Sequence, residues 1–514
     1  MKKFITKFST TSEYENAYSK VGVLNFPNVS LTEDNGDMHY EMNAPHYYSQ
    51  DYLTFECLSA GTITIKANNA SASKTISYST DDGSTWTDLT TSTTAQSLGE
   101  FVIGDKVLIK GTNNSYCTSS YNNQFDGTAQ TKVYGNIMSL IYGDNFIDQI
   151  SFPSGSSYNF RSLFASYTQL KSVKNLILPA TTLANYCYSS MFNGCTSLTT
   201  APALPATTLA NYCYSTMFYG CTNLIQAPVL PATTLASYCY SYMFNGCTSL
   251  TIAPALPATT LATNCYKEMF NGCTNLTTAP ALPATTLTSY CYQSMFQGCT
   301  SLTTAPELPA TTLASYCYYQ MFNSCTSLTT TPELPATTLP SSCYGFMFQN
   351  CTSLTTAPEL PTTTLAEDCY YYMFAYCTSL TTVPELPATT VAGSCYSNMF
   401  RGCTNLTQVP ELPATTLASY CYEWMFAYCT SLTKAPELPA TTLANGCYSG
   451  MFKDCTNLNE ITCLATDISA INCTNDWVNG VAATGTFITA DNPPAWTTGN
   501  SGIPTGWTVE TASA

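Results

Sequence analysis

Two series of cysteines run through this chain at one interval. Cys187, Cys213, Cys239 and their successors to Cys447 recur every 26 residues, and Cys195, Cys221, Cys247 to Cys455 follow eight residues behind. Together they account for 22 of the 26 cysteines. The segment LPATTL, with small variations, keeps the same interval from Leu178 to Leu438, which makes eleven repeats. A period in the range of about 20–50 residues is the mark of supersecondary units that stack. A lone unit of this size cannot bury enough apolar surface to offset the entropy of ordering its own chain. Each repeat must therefore complete its core against its neighbours, and the chain is expected to be mostly a solenoid, a long surface rather than a pocket.

One repeat, residues 204–229, predicts the local structure. Leu209, Cys213, Met217 and Phe218 fall at spacings of 4, 4 and 1, one face of a short helix. Thr207 or Thr208 can cap its start, and Gly220 suits its end. Elsewhere the Gly220 station holds Ser324, Asn350, Tyr376, Tyr428 or Asp454, and tyrosine there argues against a left-handed backbone. Pro205 and Pro228 recur as columns and cannot donate to a ladder, so the paired strand should be confined to about residues 224–227, with a polyproline-like stretch after it.

The flanks differ. Residues 1–45 read as an attachment arm with a polar, helix-compatible start at residues 12–20. Residues 46–135 alternate in short strands, a β-sandwich-like domain. Within it Ser79, Asp81, Gly83 and Trp86 resemble the Asp-box hairpin, in which the aspartate braces a turn; no catalysis is assigned to it. Residues 136–177 form a linker and an N-terminal capping repeat, because residues 163–170 are a degenerate copy of residues 191–198 with Tyr167 in place of the cysteine. Residues 178–460 are the array. Residues 461–514 form a C-terminal cap carrying Cys463, Cys473 and three of the five tryptophans, Trp477, Trp496 and Trp507.

Composition narrows function. The net charge is −16 with only 9% charged residues, against ~25% in ordinary domains. This excludes the basic footprint of a nucleic-acid binder and attraction to anionic membranes. No apolar run is long enough for a spanning helix. The N-terminal sequence MKKFITKFSTT has lysines without an apolar core and is not expected to act as an export leader. The two cysteines of a repeat, eight residues apart on a helix, would sit about 12 Å apart, out of disulfide reach. They are expected as buried free thiols. There is no C-x2-C and there are only two histidines, His39 and His46, so no zinc site, other metal or cofactor is expected.

The repeated Met-Phe-x-x-Cys-Thr-x-Leu with its Leu-Pro element resembles the 26-residue repeat of bacterial surface proteins, a branch of the leucine-rich repeats. The resemblance covers about residues 160–460. It implies an α/β solenoid, right-handed, with short parallel strands on one face and short helices between. It also implies roles in adhesion and surface recognition rather than catalysis. The flanking segments PNVSLTEDNGDMHYE, GNIMSLIYGDNF and GIPTGWTV resemble companions of such repeats in Bacteroides-type bacteria and their phages.

Candidate contact residues lie in the slots that vary. Two residues before the first cysteine and two after its tyrosine read Asn185/Tyr186, Lys267/Glu268, Tyr319/Gln320, Phe346, Glu367/Asp368, Tyr371/Tyr372 and Glu423/Trp424. Such slots should face solvent. Tyr371, Tyr372, Tyr376, Trp424 and Tyr428 are the candidate ligand-binding residues, able to stack on sugars or meet a protein. The constant column Tyr188 to Tyr448 is expected to pack. The residue before Leu-Pro changes from Ala203, Val229, Ala255 and Ala281 to Glu307, Glu333, Glu359, Glu385, Glu411 and Glu437, a row expected to fan into water, with calcium along it as the alternative. No nucleophile, phosphate-loop or zinc-hydrolase motif is present, and no catalytic residue is expected. The expected function is a non-enzymatic virion protein, head-fibre or tail-associated. It would be held to other virion proteins by its N-terminal region, bind a host surface glycan or protein, and be homo-oligomeric, without nucleic-acid or membrane partners. A bacterial surface adhesin is the alternative, and a polysaccharide depolymerase a third reading.

Overall fold

The computed structural model describes residues 29–34, 37–42, 50–119 and 121–512. The expectation for residues 12–20 falls outside them. Within the arm, β1 (Val29–Asp34) and β2 (Asp37–Met42) pair antiparallel.

The β-domain is built from alternating segments that bury every second side chain. Its strands are β3 (Leu53–Cys57), β4 (Gly61–Ala67), β5 (Thr75–Ser79), β6 (Thr87–Thr90), β7 (Gln96–Phe101), β8 (Lys106–Gly111), β9 (Asn123–Gly127) and β10 (Thr131–Asn136). Two more, β11 (Leu170–Ser172) and β12 (Leu176–Ile177), belong to the capping repeat. One sheet runs β11-β10-β3-β8-β5-β6, with β12 also on β10; the other runs β7-β4-β9. Phe55 of the first sheet and Phe125 of the second meet at 5.0 Å between ring centroids, closing the core between them. The Asp81 carboxylate accepts from the Thr85 amide and hydroxyl and the Ser79 hydroxyl, and these bonds hold its pKa down to about 2. The turn is braced as the resemblance implies.

The β-domain is also the lid of the array. Strands β11 and β12 pair parallel with β10, and the Tyr116 and Phe125 amides donate to the carbonyls of Asn159 and Leu163 in the capping coil at 2.8 Å each. Phe164 of that coil packs on both Phe55 and Phe125 and on Phe192 of the first repeat, at 5.5–5.9 Å. From there one apolar core continues through all eleven repeats into the C-terminal cap.

The predicted helices do not form. The only α-helix among the described residues is α1 (Ser139–Tyr142), outside the array. In its place each repeat makes a ribbon of overlapping turns. In the second repeat the amides of Cys213, Ser215, Met217, Tyr219 and Cys221 donate three residues back. Those of Tyr212, Tyr214, Thr216, Phe218 and Gly220 instead donate to the next repeat, at Ser237, Cys239, Ser241, Met243 and Asn245. This alternation recurs in all eleven repeats. It requires a left-handed backbone at every fourth residue, as at Tyr212 (φ 59°), Thr216 (φ 56°) and Gly220 (φ 68°). The expectation that tyrosine resists this conformation is overturned, since Tyr376 and Tyr428 sit at φ 62° and 64°. Bonds along the stack fix the backbone there, and their gain offsets the strain.

The strand expected at residues 224–227 shrinks to single parallel bridges such as Thr200↔Gln226, Ile252↔Thr278 and Thr304↔Thr330, because the following proline ends the ladder. Stacking in register is otherwise as the period demands. The buried Tyr188–Tyr214–Tyr240 column has ring spacings of 5.7 and 5.8 Å, and the Phe192–Phe218–Phe244 column 5.5 and 5.6 Å. All 26 cysteines are free and buried. The second cysteine series has a polar role too: the Cys221 thiol donates to the Phe192 carbonyl at 3.1 Å, and its ten counterparts do the same.

The C-terminal region does not break the stack at once. Asn472, Asp476 and Gly480 repeat the left-handed stations (φ 54°, 52° and 80°), so Cys473, Trp477 and Val478 take the places of the cysteine, methionine and phenylalanine of another coil. The closing layer is a parallel sheet of β13 (Glu460–Cys463), β14 (Thr486–Thr489) and β15 (Thr508–Thr511). Trp496 stacks on the buried Trp477 at 5.8 Å, and the Trp477 indole donates to the Gly502 carbonyl at 2.8 Å. No helix among the described residues is long and apolar enough to cross a membrane.

Candidate functional site

The turn ribbon decides where variable side chains point. The second residue of each variable pair occupies a left-handed station and lies along the stack, over the next rung. Tyr158, Tyr186, Tyr212 and Tyr238 thus form a ladder with centroids 4.4–4.6 Å apart and planes within 9°. Tyr290 and Tyr316 form a second at 4.8 Å. These rings cover one another's faces and show solvent their edges. The variable slots are consequently half-buried, and of those singled out only Asn185 and Glu367 are exposed. The early tyrosine ladder lies outside the five candidate residues, although the four-residue offset of Tyr212 from Thr216 and Gly220 is readable in the sequence.

Of the five candidate residues, Tyr371 and Tyr372 meet at 4.6 Å and belong to a larger cluster. Phe346 stacks on Tyr372 at 4.9 Å, while Tyr371 and Tyr319 form T-shaped pairs with Phe346 at 5.2 and 5.3 Å, their planes turned 79° and 69° from it. Tyr319 and Tyr371 hold one station two repeats apart, and the Tyr319 ring lies over Gly345 of the repeat between them, where a Cβ would come within 2.9 Å of it. Burial raises the pKa of both, Tyr371 to about 12. Burial, and then Glu367, also raise that of the neighbouring Asp368.

The other three candidates surround a cation. Arg401 lies 5.9 Å from the Tyr376 ring, 4.8 Å from Trp424 and 5.3 Å from Tyr428, and it donates to the Asn398 side chain at 3.1 Å and the Tyr372 hydroxyl at 3.5 Å. Lys453 approaches Trp424 from the other side at 5.1 Å and pairs with Asp476 at 3.4 Å. The rings depend on glycine in the next repeat: a Cβ on Gly402 would come within 2.5 Å of Tyr376, and one on Gly450 within 2.7 Å of Trp424. Both Trp424 faces are thus occupied by the protein itself. The two groups join through Tyr372 and Arg401 into one seam from Tyr316 to Lys453.

Two other surfaces complete the inventory. Between the proline segments run open grooves, of about 680 Å³ beside Glu411 and Glu437 and 470 Å³ beside Ala203 and Val229. All six glutamates of the row are exposed. On the outer face of the larger β-domain sheet lies a cleft of about 500 Å³ lined by Tyr52, Glu56, Lys106, Lys132 and Tyr134 among others, with Lys132 and Glu56 paired at 2.7 Å.

The family model described as a BspA type leucine rich repeat region (6 copies) matches this chain in overlapping segments, residues 167–303, 211–355, 263–390 and 367–474. The matches span more than half of the chain, which belongs to this family of leucine-rich repeat proteins. No curated protein matches it significantly.

Proposed function

We propose that this chain is a non-enzymatic adhesion protein that holds host-surface glycans on the turn face of its array. Repeats of its family point to surface binding. The observation that carries the glycan reading is the cluster of half-buried rings on three successive rungs, Tyr319, Phe346, Tyr371 and Tyr372. A pyranose ring needs an apolar platform with polar groups at its rim. Gln320, Asp368 and Glu367 supply that rim. Trp424 and Tyr428, with Arg401 between the rungs, contribute ring edges and the Tyr428 hydroxyl beside it. The low charge and abundant threonine of the surface suit a neutral, hydroxyl-rich ligand.

The test is glycan-array and host-cell binding by the wild type, by Tyr319→Ala/Tyr371→Ala and by Trp424→Ala/Tyr428→Ala. Binding should fall at least about tenfold in the first pair and less in the second. Undiminished binding by the first pair would remove this site, and release of reducing ends from host polysaccharide would overturn the non-enzyme assignment.

Placement on a phage particle, through the N-terminal region, is the finer part of the proposal and rests on the resemblance of the flanking segments. A bacterial cell-surface adhesin is the second reading, favoured by the family match. Detection of the chain in purified virions, or instead in outer-membrane fractions, decides between them.

A further inference from the structure

The proline-rich face, distinct from the turn face, breaks its own pattern in one place. At the two stations before the recurrent Ala-Pro, most repeats carry threonine pairs such as Thr303/Thr304 and Thr355/Thr356. The second and third repeats instead carry Ile225 and Ile252, and Val229 stands where neighbouring repeats have Ala203 and Ala255. These three side chains are exposed by 58%, 67% and 73%, among the most exposed large aliphatics of the described residues. Ile225 bonds to the first repeat at Thr199, and Ile252 lies in the bridge column one rung further on, so they are diagonal neighbours. The patch sits in a stretch without charge: no Lys, Arg, Asp or Glu occurs between Lys174 and Lys267.

Charge is ordered on either side of this patch. Towards the N-terminus the face continues through β11, bearing Lys171 with Lys174 just beyond, into β10, bearing Lys132. Towards the C-terminus it carries the glutamate row from Glu307 onwards. We propose that two copies of this chain pack with these faces together, antiparallel, about a two-fold axis between the Ile225 and Ile252 rungs. Such an axis sets the Ile225 rung on the partner's Ile252 rung. Counting outward by equal steps of about 4.8 Å per rung or strand, it sets the Lys171/Lys174 rung opposite the Glu307 rung, and the Lys132 strand opposite the Glu333 rung. An isologous interface repeats each pairing twice. A parallel arrangement would set glutamate row on glutamate row. In a chain of net charge −16, the uncharged patch is where two copies can close, and the Lys and Glu flanks fix the register. Lys132 is already shared with Glu56, so Lys171 and Lys174 bear most of that complementarity. The turn faces of both copies stay free.

Sedimentation equilibrium of the full chain tests this, with Ile225→Thr/Ile252→Thr/Val229→Ala beside the wild type. Each substitution installs a residue that the same station holds in other repeats, so the stack accepts it, and unchanged thermal melting verifies this. The wild type should be a dimer that loosens with added salt. The triple variant should dissociate at least about tenfold more readily, and Glu307→Lys/Glu333→Lys should weaken the dimer without touching the patch. A monomeric wild type at tens of micromolar, the result if the patch serves another protein, overturns the proposal. So does a triple variant that dimerises as tightly as the wild type.

Discussion

At the scale of single residues, the fold depends on which side chains tolerate a left-handed backbone and which can lie beneath a neighbour's ring. Gly402 meets both conditions, with φ 72° and the Tyr376 ring over it. Gly402→Ala should destabilise the protein by about 2 kcal/mol, read from the denaturation midpoint, and Tyr376→Ala in the same chain should recover the steric part. Ser342, at φ 55° in the same ribbon, should gain up to about 1 kcal/mol on substitution by glycine. The cysteines follow from burial. Those such as Cys213 and Cys221 are pushed up to about 12, so the thiols stay protonated at neutral pH. The native protein should resist thiol reagents and titrate 26 thiols once denatured; fewer after denaturation would mean disulfides.

At the scale of elements, the turn ribbon replaces the helix. The period, the eleven repeats, the free thiols and the β-domain were legible because they rest on constant spacing and alternation. The helix was misread from a real signal. Cys213, Met217 and Cys221 are spaced by strictly four residues, as are the left-handed stations Tyr212, Thr216 and Gly220. A helix of 3.6 residues per turn would drift away from such a pattern, and the strict four was the clue to a turn ribbon. The contact residues were legible as types but not as orientations: sequence marked Trp424 as a free platform, whereas the next rung's glycine and two cations occupy its faces. The hidden coil at residues 472–480 escaped because Trp477 and Val478 stand where methionine and phenylalanine are constant. Far-ultraviolet circular dichroism should lack the α-helical double minimum; a strong one would show that the repeats hold helices.

At the scale of the whole molecule, stability is shared along one axis, and both ends need closure. The β-domain supplies amides to the first coil's carbonyls, and at the other end the Val478 amide donates to the Asn500 carbonyl and the Asp476 amide to the Ser501 hydroxyl. Between these lids the repeats are interchangeable in kind, so nearest-neighbour contacts set stability. Chemistry is distributed across faces: aromatic seam on the turn ribbon, charge gradient on the proline face.

The most direct measurement is small-angle scattering on a chain lacking two complete repeats, residues 257–308, beside the full chain, both as the Ile225→Thr/Ile252→Thr/Val229→Ala variant so that association does not intervene. In-register stacking predicts a folded protein whose longest dimension is shorter by about 10 Å, two ladder steps. An unfolded product, or a folded one of unchanged length, would contradict the account.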